Sequence, residues 1–168
     1  MVQTLISPEE YLATVWHPDV DYVEGRLEDR NVGTKEHGKL QARIWLLLRR
    51  LDGLQAFIET RLKVSETRYR IPDVCAYYQE PEESVFTQPP VLCVEILSLE
   101  DRLSRVMQVV QDYLSMGVPT VWVLDPLEKK AYAADPAAGL REVAGRISTT
   151  DQRVVLTLEE IFSGKNPF

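Results

Sequence analysis

Between residues 40 and 51 the apolar positions are Leu40, Ile44, Leu47, Leu48 and Leu51. Their i, i+4, i+7, i+8, i+11 spacing traces one face of a helix. Thr34 offers an N-cap, so the pattern predicts a helix over about 35–52. Nearer the start, Ser7, Pro8 and Glu10 have the cap, first-turn proline and capping-box arrangement of a short helix over about 8–15. "VDYVEGRLEDRNV" then reads as a hairpin around Glu24-Gly25. Strand patterns follow at 55–65, 69–78, 91–97 and 119–125. A second long helix, about 101–116, starts after Ser98 and lies between the last two strands. It packs Leu103, Val106, Met107, Val110 and Leu114, and stops at Gly117 with Pro119 beyond. "KKAYAA", 140–147 and 153–157 predict a strand-rich tail, and "TLEEIF" a closing helix. No repeat or linker interrupts the chain, so one domain over 1–168 is expected, with its core at about 35–125. The fold class is α/β (α+β): a mixed sheet flanked by helices, with an N-terminal hairpin.

The strand "RIPDVCAYY" carries a carboxylate, Asp73, where both faces read as buried. The strand "VLCVEILS" repeats the anomaly with Glu95 between Val94 and Ile96. Side chains alternate faces along a strand, so Asp73 shares a face with Cys75, and Glu95 with Cys93. Antiparallel partners keep a constant sum of residue numbers. If Asp73 lies opposite Glu95, then Cys75 lies opposite Cys93. Two carboxylates that close repel unless one protonates or a cation joins them. A divalent ion such as Mg²⁺ or Mn²⁺ selects such oxygen ligands. The competing reading is two salt-bridged acids, with Arg70 or Arg68 as partners. Glu36 and His37 sit in the first turn of the helix before these strands. His37 falls on the core-facing stripe, three residues from Leu40, and Glu36 flanks it; a helix-end role suits either as well as a chemical one.

Composition narrows the setting. A net charge of −7 argues against broad nucleic-acid affinity, yet it leaves room for a local basic groove. The basic residues do cluster, as in Arg61, Lys63, Arg68 and Arg70, and in Arg102 and Arg105. No apolar run reaches membrane-spanning length, and "MVQTLISPEEYL" lacks a signal-peptide layout, so a cytoplasmic location is expected. Cys75 and Cys93 then read as buried thiols rather than a disulfide. There is no Walker loop, G-x-S-x-G, H-E-x-x-H or Cys-His metal spacing to point to another chemistry.

Together, "YVEGRLEDRNVGTKEHGKLQARI", "RIPDVCAYY", "PPVLCVEILSLEDRLSR" and "DYLSMGVPTVWVLDP" resemble the Uma2 family, bacterial proteins with the PD-(D/E)xK restriction-endonuclease-like fold. The similarity covers about residues 5–135. It implies a core of helix, three antiparallel strands, helix and a further strand. It also implies that Asp73 is the PD acid and Glu95 the second metal-binding acid, with Glu36 or His37 at the polar position opening the first core helix. In such nucleases Mg²⁺ stabilises charge on the phosphate and activates water, and a nearby lysine assists.

Here the chain departs from the pattern. A plain E-x-K lysine would be residue 97, which is Leu97; the shifted lysine of the family, counted back from Tyr113, falls at Val109. Arg105 and Arg102, one and two turns earlier, offer a cation to the same region, and Lys39 and Lys63 are looser candidates. Two readings follow: a Mg²⁺-dependent nuclease-like protein acting on DNA phosphodiesters, with catalysis impaired by Val109, and an inactive nuclease fold used for binding or assembly. In the first, Asp73, Glu95 and Glu36 hold metal, His37 moves protons and Arg105 replaces the lysine, while Arg102, Arg105, Lys39 and Lys63 touch DNA. The resemblance also implies a homodimer, and the strand-rich tail offers Trp122, Tyr132 and Phe168 for its contacts.

Overall fold

A computed structural model describes residues 5–30, 33–99 and 101–163. The chain opens with α1 (Pro8–Ala13), capped by the Ser7 side chain, which accepts from Glu10 N–H. The hairpin β1 (Val20–Val23) and β2 (Arg26–Asp29) turns through Glu24 and Gly25, whose φ values of 51° and 85° are those of a tight turn that favours glycine. α2 (Lys35–Arg49) starts at Thr34, whose hydroxyl accepts from His37 N–H at 3.3 Å.

The strand expected over 55–65 is two strands, β3 (Gln55–Ile58) and β4 (Leu62–Ser65), and they belong to different sheets. Glu59 between them takes a positive φ of 47°, which ends the ladder. The strand expected over 69–78 divides in the same way into β5 (Arg68–Arg70) and β6 (Val74–Tyr77). Pro72 cannot donate to a ladder, and the Ile71 N–H is taken by the Asp21 carboxylate instead. β7 (Leu92–Ile96), α3 (Leu103–Met116) and β8 (Val121–Asp125) follow. α3 ends at Gly117 with φ 106°, where Val118 N–H reaches back to the Tyr113 carbonyl. The tail comprises β9 (Lys130–Asp135), β10 (Gly139–Val143), β11 (Arg146–Ser148), β12 (Val155–Thr157) and α4 (Leu158–Phe162). α4 opens with a capping box between Thr157 and Glu160.

Six strands form the main sheet in the order β10-β9-β8-β7-β6-β3. β6 is antiparallel to both of its neighbours, β3 and β7, and β7 runs parallel to β8. A parallel pair needs a crossover, and α3 supplies it. A second sheet, β2-β1-β5-β4, and the pair β11-β12 complete the fold. The main sheet lies between two apolar layers. Leu40, Ile44, Leu47 and Leu48 of α2 cover the face bearing Val74, Ala76 and Trp122. Val106, Val109, Val110 and Tyr113 of α3 cover the face bearing Cys75, Cys93 and Val123. β6 is thus buried on both faces, which is why its sequence is apolar without alternation.

Two expectations change here. The buried stripe of α3 is rotated: Leu103 and Met107 are 74% and 43% exposed, and Val109 and Tyr113 are buried in their place. The cause lies one residue before Tyr113, where Asp112 turns inward to meet Arg68 and Arg70. Trp122 is fully buried with its indole N–H on the Ser148 carbonyl, so it offers no surface for a second copy. Tyr132 packs against the α3-side core, and Phe168 lies outside the described residues.

Candidate active site

β6 and β7 pair with Cys75 opposite Cys93 and Val74 opposite Val94. The same register continued by one residue sets Asp73 beside Glu95, where β6 begins and β7 nears its end. Both line one small cavity with Arg30, His37, Arg105 and Val109. Its volume of about 40 Å³ is close to the share of one water molecule or a small ion.

Asp73 is 5% exposed, and three groups bind its carboxylate. Arg30 Nη2 donates to Oδ1 at 3.3 Å. His37 Nε2 and the Ile96 N–H meet Oδ2 at 3.3 and 2.7 Å. Ile96 directly follows Glu95, so Asp73 is stitched to the backbone that carries its partner acid. Its own carbonyl accepts from Gln41 Nε2 at 3.1 Å, which ties it to α2. Hydrogen bonding to Asp73 raises the pKa of His37 against the opposing effect of burial.

Glu95 is balanced differently. Its Oε1 accepts from the Tyr113 hydroxyl at 2.6 Å, and no salt bridge reaches it among the described residues. Burial, and then the charge of Asp73, push its pKa well above the usual carboxylate range, and Tyr113 and Arg30 offset this only in part. The like charge of Asp73 thus adds to burial in disfavouring the ionised form of Glu95. What relieves this in solution is a proton or a cation.

The family model for Uma2, described as "putative restriction endonuclease", matches residues 8–164. The chain belongs to the Uma2 family. Its fold is also that of a crystal structure of a putative nuclease belonging to DUF820 from Anabaena variabilis. The two superpose with a TM-score of 0.83 at 19% identity, covering 94% of this chain and 98% of that one. No curated protein gives a significant match. The family supports a nuclease-like function, and restriction-endonuclease-like families generally use a divalent metal.

The donor chemistry of this Uma2 chain fits a hard divalent cation of the kind that takes one or two carboxylates and completes its shell with water and phosphate oxygens. Asp73 and Glu95 would be those carboxylates. Among the described residues, no cluster of three His, Cys, Asp or Glu side chains gathers to enclose an ion. Glu36 does not complete the pair. It is exposed, pairs with Lys35 at 3.7 Å, and lines a separate groove with Lys39 and Arg43. One residue of helix is 100° of rotation, so pointing His37 inward turns Glu36 away.

The expected basic residues also separate. Arg105 and Val109 line the acid cavity, as does Leu97. Arg102 is the exposed N-cap residue of α3. Lys39 faces the groove with Glu36, and Lys63 pairs with Glu66 at 2.9 Å on the second sheet. Arg68 and Arg70, the salt-bridge partners considered for the acid pair, go elsewhere: to Glu24, Asp21, Glu28 and Asp112. The cation that does reach Asp73 is Arg30, at the end of the hairpin. In the sequence it is one more charge in "LEDRN", and only its place between a strand and a helix cap hinted that it could turn inward.

Proposed function

We propose that this Uma2 protein is a Mg²⁺- or Mn²⁺-dependent nuclease acting on DNA phosphodiesters, with hydrolysis slowed by Val109. The observation that carries the reading is the convergence of Asp73, Glu95, His37, Arg30 and Arg105 on one cavity with Val109 in its wall. Asp73 and Glu95 would hold the ion, which neutralises phosphate charge and acidifies water when bound. Arg30 and Arg105 bind phosphate oxygens through charge-assisted hydrogen bonds. His37 holds a proton at Nε2 against Asp73 and is placed to pass it on. Val109 is 4% exposed; it presents methyl groups where the family lysine would present an ammonium. Arginine does not replace that function, because it does not release its proton. The burial of Val109 is also the observation that favours the second reading, a nuclease fold that binds DNA without cutting it.

Supercoiled plasmid incubated with Mn²⁺ tests the proposal. The wild type should nick it slowly, Glu95→Ala should not, and Val109→Lys should nick about 10²-fold faster, a usual worth for a placed proton-transfer group. Activity in Val109→Lys alone establishes the second reading for the natural chain. Nicking that persists in Glu95→Ala, or inertness of both wild type and Val109→Lys, removes the nuclease site altogether.

A further inference from the structure

Arg105, on the wall of the acid cavity, is held from outside it. Its Nη2 donates to Asp21 Oδ2 at 3.2 Å, and Asp21, only 4% exposed, does not line the cavity. The same Oδ2 accepts from Arg70 Nη1 at 3.0 Å, and Oδ1 accepts the Ile71 N–H at 3.1 Å. Ile71 lies two residues before Asp73. Arg70 is itself immobilised: it is 1% exposed and donates to Glu28 Oε2 at 2.7 Å and Asp112 Oδ2 at 2.8 Å. Both oxygens of Asp21 are therefore bound to groups anchored elsewhere in the fold. A guanidinium carries five N–H donors. Arg105 gives one to Asp21 and keeps its side chain 31% exposed, which leaves donors for an anion in the cavity.

We propose that Asp21 is a positioning residue for this site. Its Oδ2 holds Arg105 as the phosphate-binding cation, in a pocket whose family lysine is replaced by Val109, and its Oδ1 steadies the backbone leading into Asp73. The phosphate half of this inference rests on the nuclease reading; the holding of Arg105 does not.

The test uses the full chain with Asp21→Asn, Arg105→Gln and the double variant. Asparagine keeps a carbonyl oxygen for the Ile71 N–H and removes the charge that holds Arg105. Nitrogen-15 spectra of the arginine side chains, with Arg105 assigned through Arg105→Gln, should show a restrained guanidinium in the wild type. In Asp21→Asn that signal should average like a free arginine, with the backbone spectrum otherwise retained. Affinity for a short single-stranded oligodeoxynucleotide, measured by anisotropy in Ca²⁺, should fall about tenfold in each single variant and no further in the double. Arg105→Lys, which keeps the charge but lacks the fork to reach Asp21 and a phosphate together, should lose about threefold. The proposal is overturned by an Arg105 already averaged in the wild type, by one unchanged in Asp21→Asn, by losses that multiply in the double variant, or by full affinity in Arg105→Lys. A wild type that binds no oligonucleotide removes the nuclease reading and the phosphate role with it; the spectra then still decide whether Asp21 holds Arg105.

Discussion

Two groups of buried and half-buried acids lie side by side where β5 runs into β6, and their charges are met in different ways. Around Arg70, each acid touches an arginine: Asp21 meets Arg70 and Arg105, Asp112 meets Arg68 and Arg70, and Glu28 meets Arg70, all within 3.2 Å. In the cavity, Asp73 meets Arg30 and His37 at a longer 3.3 Å, and Glu95 meets only the neutral Tyr113 hydroxyl among the described residues. The first group is a closed ionic lattice that joins the hairpin, β5 and α3. In the second, Glu95 lines the small cavity with no ion pair among the described residues. Burial alone does not separate a structural acid from one available for chemistry; the distribution of its counter-charges does.

Three experiments bear on that contrast. The largest effect belongs to the lattice. Arg70→Met leaves Asp21 and Asp112 buried without their main partner, and should lower the unfolding free energy by about 3–5 kcal/mol in urea titration. A loss below about 1 kcal/mol would mean that the lattice is no tighter than a surface pair.

The next effect belongs to the cavity. Mn²⁺ at about a hundred times its dissociation constant should stabilise the wild type by about 2.7 kcal/mol. For a domain of this size that is about 5–10 °C in melting temperature. Asp73→Ala should erase the shift; an undiminished shift in that variant places the ion elsewhere.

The smallest effect is the pH dependence of the metal-free protein. Glu95 is held above its ordinary pKa by burial and by Asp73, so the folded state binds its proton more tightly than the unfolded chain. Its contribution is then fully present below the unfolded value, about 4.3, and is lost as pH rises through the folded one. Glu95→Gln removes that loss while keeping an acceptor for Tyr113. It should melt higher than wild type near neutral pH, with the gap closing toward pH 4. A gap that does not change with pH would show that Glu95 is not repelled in the folded state.

Much of the cavity was legible before the fold was seen. Alternation along two strands and the constant sum of antiparallel partners tie the pairing of Asp73 with Glu95 to that of Cys75 with Cys93, and the sheet adopts that register. Thr34 as a cap and Leu40 as a core residue are enough to turn His37 inward. The helix faces were less legible. Leu103 and Met107 fit an apolar stripe as well as Val109 and Tyr113 do, and hydrophobicity cannot choose between stripes a residue apart. The choice came from Asp112, a polar residue whose inward turn makes sense only once Arg68 and Arg70 are across from it. The apolar run over 69–78 hid the break at Pro72, and with it the fact that β5 and β6 join different sheets.

The sequence by itself determined the helices, the caps at Ser7 and Thr34, the stop at Gly117 and the placing of Asp73 and Glu95 in apolar strands, because those follow from local periodicity and short-range geometry; the register that joins the two acids was decided by the sheet. Only the tertiary structure decided that Arg30 binds Asp73, that Asp21 and Arg70 hold α3 in place and that Val109 sits in the cavity wall. Each of these joins residues from separate elements. Their contacts are selected by packing and charge balance across the whole fold, which no stretch of the chain carries alone.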